Sequence, residues 1–202
     1  MQAERKQLTS HSPRIGVLAI QGDYAAHARA LTQSGAIPVE IRKTEELASI
    51  HALILPGGES TTILKFLEKQ NFFAALQHYA ATHPVFGTCA GAILLAREVL
   101  NPPQRSLALL DAILERNTYG RQIDSSILTA ETALPGGPLE MVFIRAPRIT
   151  STGPGVEVLA RRDGFPVLVR QGRILAATFH PELSADRRVH KLFVDSLPPL
   201  PS

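Results

Sequence analysis

Short apolar runs in the first half of the chain, most of them cut off by glycine, alternate with helical stretches, and this alternation restricts the fold more than any other feature. The first is Arg14 to Ile20, with Ile15, Val17, Leu18 and Ile20, broken by Gln21-Gly22-Asp23. Ile37 to Ile41 is a second, and Ala52 to Leu55 a third, stopped by Pro56-Gly57-Gly58. Val85 to Gly87 is a fourth, leading directly into an apolar stretch read as a helix from Ala90 to Leu100. Runs that are apolar without alternation belong to strands buried on both faces, which requires helices on both sides of a parallel sheet. The helices are expected from Asp23, as N-cap, through Leu31 to a stop at Ser34-Gly35, and over Thr61 to Ala81 with a bend near Asn71.

After Pro102-Pro103 the pattern changes. Leu107 to Leu114, Ser126 to Thr132, Met141 to Ile144, Val156 to Ala160, Pro166 to Arg170 and Arg173 to Phe179 read as strands, several of them antiparallel hairpins turned by Asp163-Gly164 and Gln171-Gly172. A helix over Ala185 to Ser196, capped by Ser184, closes the chain. The expected fold is therefore α/β: three layers, a mostly parallel central sheet with helices on both faces, and added antiparallel strands in the second half.

The 202 residues fit one domain, expected over 14–197, with a polar leader at 1–13 and a proline-rich tail at 198–202. Hydrophobic residues at 45% against 19% charged supply a core. The net charge of +3 comes from scattered basic residues, which argues against a nucleic-acid partner. No apolar run approaches the roughly 18 to 20 residues that span a bilayer, and the polar first residues hold no signal or anchor, so no membrane partner is expected. A single cysteine, Cys89, rules out an intramolecular disulfide and fits a reducing, cytoplasmic setting.

That cysteine stands in Phe86-Gly87-Thr88-Cys89-Ala90-Gly91, at a strand-to-helix junction. G-x-C-x-G there has the form of a nucleophile elbow, in which a sharp turn exposes the reactive side chain and glycines let neighbouring backbone pass close by. The helix N-terminus behind it favours thiolate, and the Ala90 N–H is left to point at a developing oxyanion. Thr178-Phe179-His180-Pro181-Glu182 ends the last strand. On an extended chain residues i and i+2 share a side, so Glu182 can hold one ring nitrogen of His180 while the other faces a nucleophile. Pro56-Gly57-Gly58-Glu59-Ser60-Thr61 offers a further N–H for an oxyanion hole, that of Gly58. Each segment has a plainer reading alone: a buried cysteine, a His-Pro turn, a tight turn with Ser60 or Thr61 as N-cap. Together at the C-terminal edges of predicted strands they suggest a Cys-His-acid triad. Zinc on Cys89, His180 and Glu182 is disfavoured by the absence of closely spaced ligand pairs, and no metal or cofactor is expected.

Gly-Thr-Cys-Ala-Gly with a late His-Pro-Glu resembles the class I, triad-type glutamine amidotransferases, whose sheet is flavodoxin-like. The strings at 56–61, Glu115-Arg116-Asn117-Thr118-Tyr119-Gly120-Arg121-Gln122 and Phe143-Ile144-Arg145-Ala146-Pro147 are similar to the glutaminase subunit of the pyridoxal 5'-phosphate synthase complex. The resemblance covers Arg14 to Leu197. It implies hydrolysis of L-glutamine to glutamate and ammonia, and delivery of ammonia to a lyase-type, barrel synthase subunit in a large hetero-oligomer that makes the cofactor from a pentose phosphate and a triose phosphate. It implies Cys89 as nucleophile, His180 as base then acid, and Glu182 as its orienter. Gly57, Gly58, Glu59, Arg116, Ile144 and Arg145 would bind substrate, and Gln21 and His27 would lie near the partner. The family often has an acidic residue before that histidine, where this chain has Ala26. A glutaminase serving another acceptor, or a cysteine-elbow protein of stress-response or peptidase-like type, are the alternatives.

Overall fold

The computed structural model describes residues 9, 11–116 and 125–199. In chain order the elements are β1 (Arg14–Leu18), α1 (Tyr24–Gln33), β2 (Ile37–Ile41), β3 (Ala52–Leu55), α2 (Ser60–Lys69), α3 (Phe72–Ala80), β4 (Val85–Thr88), α4 (Ala90–Leu95), β5 (Ala96–Leu100), β6 (Leu110–Glu115), β7 (Ser125–Ala130), β8 (Leu139–Ile144), β9 (Arg148–Thr152), β10 (Glu157–Arg162), β11 (Phe165–Gln171), β12 (Ile174–Ala177) and α5 (Arg188–Asp195). Short 3-10 helices occupy Thr44–Ser49 and Pro181–Leu183.

The main sheet runs β10-β11-β12-β4-β3-β1-β2. Every pair from β12 to β2 is parallel, and β11 and β10 extend that edge as antiparallel strands. Two smaller sheets, β5-β6-β9 and the hairpin β7-β8, hold the remaining strands. All four residues of β3 are buried, and alternate side chains enter opposite cores. Leu53 and Leu55 join Ile63, Leu67, Phe72 and Leu76 of α2 and α3, while Ala52 and Ile54 join Leu31 of α1 and Val189 and Phe193 of α5. The three-layer α/β arrangement expected from the unbroken apolar runs is thus the one formed. Asn71, at φ 57°, makes the bend that separates α2 from α3.

Two local expectations need correction, and a third stands with a different capping bond. The apolar stretch after Cys89 is not helical to Leu100: α4 stops at Leu95, Ala96 turns to φ −56° and ψ 151°, and β5 pairs in parallel with β6. A run buried all round carries no period that separates helix from strand, and only exposed Arg97 and Glu98, the latter opposite Ile113, mark the change. Asp23 is the N-cap of α1 without a side-chain capping bond; its carbonyl accepts from Ala26 and His27 instead. The final helix begins at Arg188 rather than Ala185: Ser184 accepts from the Asp186 N–H and donates to Glu140, but the helical N-cap is Arg187. Strand β9 and the Thr44–Ser49 turn were not read from the sequence.

Parallel pairing puts the C-terminal ends of β1, β3, β4 and β12 at one edge of the sheet, with their following loops side by side. No helix among the described residues is long and apolar enough to cross a membrane. The elbow depends on a close approach at Gly91, where a Cβ would overlap the Leu55 carbonyl oxygen. Gly91→Ala must push α4 off β3. The expected cost is about 1–3 kcal/mol, read by calorimetry as a thermal midpoint lower by roughly 2–4 °C per kcal/mol.

Candidate active site

Cys89 sits between β4 and α4 with φ 48° and ψ −104°, a backbone conformation that L-residues rarely hold unless the surroundings impose it. Here they do. Its N–H donates to Ala177 O at 2.8 Å, tying the elbow to the neighbouring strand β12, and its carbonyl receives the Ile93 N–H at 3.2 Å as α4 begins. Its side chain is nearly buried, with Sγ 4.0 Å from Ile144 O. As the first helical residue, Ala90 has an N–H without an intrahelical acceptor, as an oxyanion donor requires.

His180 and Glu182 do meet, though not on an extended chain. The Thr178 N–H bonds Val167 O at 2.9 Å and the His180 N–H bonds Val142 O at 2.8 Å, so the segment leaves β12 pinned to β11 and β8. Pro181 then opens a 3-10 turn, and that turn swings Glu182 back until Oε1 lies 2.7 Å from His180 Nδ1. Both side chains are almost completely buried. Burial pulls the His180 imidazolium down, but hydrogen bonds to Cys89 and Glu182 and the charges of both outweigh it and raise its pKa from 6.5 to about 10.

The glycine turn after β3 closes over the histidine. A Cβ on Gly57 would lie 2.5 Å from His180 Cε1, so no larger residue fits there. Gly58 holds φ +140°, and Gln21 braces the turn by donating from Nε2 to Glu59 O at 2.9 Å. Neither Ser60 nor Thr61 is the N-cap of α2. Glu59 is: its carboxylate accepts from the Thr61 and Thr62 N–H groups and from both hydroxyls. The Thr61 hydroxyl, and then Thr62 and the two N–H groups, outweigh partial burial and hold its pKa down to about 2. Arg116, with its side chain 14% exposed, approaches the same carboxylate at 3.5 Å. A cavity of about 290 Å³ opens between these parts, lined among others by Asp23, Gly58, Glu59, Cys89, Arg116, Ile144, Arg145 and His180. Asn117 to Asp124, including Arg121, lie outside the described residues.

His27, expected near a partner, is instead wholly buried. Helical spacing puts it on the face of α1 that carries Ala26, Ala30 and Leu31 into the core, so it presents no docking surface. It lies directly behind the triad: Nε2 is 3.1 Å from Thr88 Oγ1 and 3.4 Å from Glu182 Oε2, and Nδ1 is 3.0 Å from His190 Nε2. Thr88 and His190 were not singled out in the sequence; the signal for His190 was its place beside Val189 and three residues before Phe193 on α5, the buried stripe of that helix. Asp23, His180 and Glu182 are the one group of ligand atoms among the described residues close enough to share a cation, within 4.8 Å, and two of the three already bond each other.

The model of the SNO glutamine amidotransferase family matches residues 17–198. The pyridoxal 5'-phosphate synthase subunit PdxT of Koribacter versatilis is 59% identical over 181 residues, covering 90% of this chain and 94% of its own. The subunit of the same name from Solibacter usitatus is 53% identical over 190 residues, 91% of this chain and 99% of its own. A crystal structure of a glutamine amidotransferase superposes with a TM-score of 0.84 at 46% identity, over 90% of this chain and 97% of that one. The structure of PurLQS from Thermotoga maritima shares the fold alone, with a TM-score of 0.65 at 16% identity over 91% of this chain and 98% of the matched one.

The raised pKa of His180 has a sign that can be checked. With Cys89 and Glu182 in place the imidazolium persists through the neutral range; Glu182→Gln removes one of the two supporting charges and leaves the burial, so the midpoint falls from about 10 toward the ordinary 6.5. Titration of the ring followed by NMR reads it, and an unmoved midpoint would show that the carboxylate does not hold the proton.

Proposed function

The chain belongs to the SNO glutamine amidotransferase family, and from that footing we propose that it hydrolyses L-glutamine to L-glutamate and ammonia through Cys89, His180 and Glu182 and supplies the ammonia to a pyridoxal 5'-phosphate synthase subunit. The observation that carries the reading is the continuity of the buried line from Cys89 through His180 to Glu182 beside an amino-acid-sized cavity.

The Cys89 thiolate attacks the γ-carboxamide carbon, and the amide oxygen becomes an oxyanion facing the Gly58 and Ala90 N–H groups. His180, protonated at both nitrogens, gives a proton to the leaving nitrogen; the C–N bond breaks, ammonia departs and a thioester remains. His180 then takes a proton from water, which attacks the thioester. The C–S bond breaks, glutamate leaves and the thiolate is restored. Throughout, Glu182 keeps the Nδ1 proton of His180 in place. Arg116, with the backbone at Ile144 and the Arg145 segment, suits the substrate's α-carboxylate. Glu59, whose oxygens are already committed to Thr61, Thr62 and Arg116, serves the pocket chiefly by holding Arg116 and the turn.

Gln21 links this chemistry to the partner. It is partly exposed, it braces Gly58 through Glu59 O, and a synthase subunit pressing on the 21–23 loop would act on the oxyanion turn through it. The cytoplasm suits a chain whose one cysteine is free and must stay reduced to act.

Ammonia release from glutamine, measured on the chain alone and with the synthase subunit, tests the proposal. Cys89→Ala is expected to fold as the parent does and to release no ammonia in either setting, and a glutamine-derived electrophile is expected to label Cys89 in the parent. Substantial turnover by Cys89→Ala would sink the triad.

A further inference from the structure

Four buried polar side chains, His27, Thr88, Glu182 and His190, form a continuous network behind Cys89 and His180, and the proposed reaction gives a role to Glu182 alone among them. They come from α1, β4, the 3-10 turn and α5, so four separate elements place them. Phe86 turns its ring edgewise to both imidazoles, at 6.4 Å and 6.0 Å between centroids, which restricts how either ring can sit. Polar groups sealed in a core are costly unless matched, and two atoms here stand out. Glu182 Oε2 and His190 Nδ1 have no hydrogen-bond partner among the described residues.

The protons can be placed from those facts. Each ring is neutral: burial is the main opposition to protonation of both, and the positive charge of His180 adds to it at His27 and that of Arg187 at His190. A neutral imidazole has one donor and one acceptor nitrogen. Were His27 to donate from Nδ1 to His190, His190 would carry its own proton on Nδ1, a buried N–H with nothing to receive it. The bare Nε2 of His27 would then face the Glu182 carboxylate. The reverse assignment leaves no ring N–H stranded: His190 Nε2–H donates to His27 Nδ1, and His27 Nε2–H donates to Thr88 Oγ1 at 3.1 Å with Glu182 Oε2 beside it at 3.4 Å.

We infer that His27 is a positioning residue of the triad, its Nε2–H aimed at the second oxygen of Glu182 by His190 behind it and Thr88 beside it. The 3.4 Å separation is long for a hydrogen bond. Hydrogen bonds of a catalytic site are often long without substrate and tighten in the reacting complex. Without the N–H, the free oxygen has no donor in the core, and the Glu182 carboxylate can rotate to seek one. Rotation carries Oε1 away from His180 Nδ1. The triad geometry would then depend on the His180 hydrogen bond alone, with no N–H facing the other oxygen.

This inference rests on the triad reading, and its test uses one readout independent of turnover. In wild-type protein labelled with nitrogen-15 in histidine, the ring spectrum is expected to show His27 and His190 neutral through the neutral pH range, each protonated at Nε2. In glutamine hydrolysis by the full chain, alone and with the synthase subunit, His27→Phe should lower kcat roughly tenfold to a hundredfold, as loss of an orienting partner behind a working group does, with KM for glutamine unchanged. His27→Gln, which returns an N–H at similar reach, should regain most of that loss. Wild-type kcat in His27→Phe, equal losses in the Phe and Gln variants, or a proton on Nδ1 of His27 would each overturn it. Absence of turnover by the wild-type complex would overturn the glutaminase reading instead, whatever the nitrogen spectrum shows.

Discussion

An ionised carboxylate inside a protein is tolerated only where donors surround it, and Glu182 sets that demand for this fold. Its side chain is fully removed from solvent, and the effective penalty for burying such an ion is several kcal/mol unless it is matched. His180 supplies one donor at 2.7 Å, and His27 faces the other oxygen. Meeting that demand requires β12 to end beside β4, the next segment to turn back after Pro181, and α1 and α5 to converge on the same face of the sheet. The topology β12-β4-β3-β1 provides each of these placements. The same carboxylate then supports the imidazolium of His180 on which the proposed chemistry turns.

How much of this could be read in the sequence depended on whether a local pattern carried the information. The strands β1, β3 and β4 are short apolar runs cut off by glycine, and both their existence and their burial on two faces were legible. Cys89 and His180-Pro181-Glu182 were legible because each sits where such a run ends. The transition from α4 to β5 was not, because a stretch buried all round has no period. The turn at Pro181 was not, because the same two residues can meet from an extended or a 3-10 backbone, and only tertiary contacts to Val142 and Val167 choose between them. His27 is the instructive miss. Its spacing with Ala30 and Leu31 pointed inward, and the family resemblance pointed outward; the spacing described its place.

The loop edge of the site shows how one residue can serve both fold and pocket. Glu59 caps α2 through Thr61 and Thr62, and the same carboxylate stands 3.5 Å from Arg116 at the cavity. Removing it would fray the helix and release the arginine together, so its substitution cannot by itself assign it to substrate. Gln21 is similar: its bond to Glu59 O braces the turn that bears Gly58, and it is also partly open to solvent. A site built this way couples the outer loop to the oxyanion turn without any large movement of the sheet.

The most direct measurement of the central claim is the steady-state partition of Glu182→Gln, assayed for glutamine hydrolysis with the synthase subunit present. If the buried carboxylate orients and charges His180, kcat falls on the order of 10⁴-fold, as when the acid of a related triad is made an amide, while KM for glutamine stays where it was. A KM that rises with kcat unchanged would contradict the account and make Glu182 a substrate-binding group.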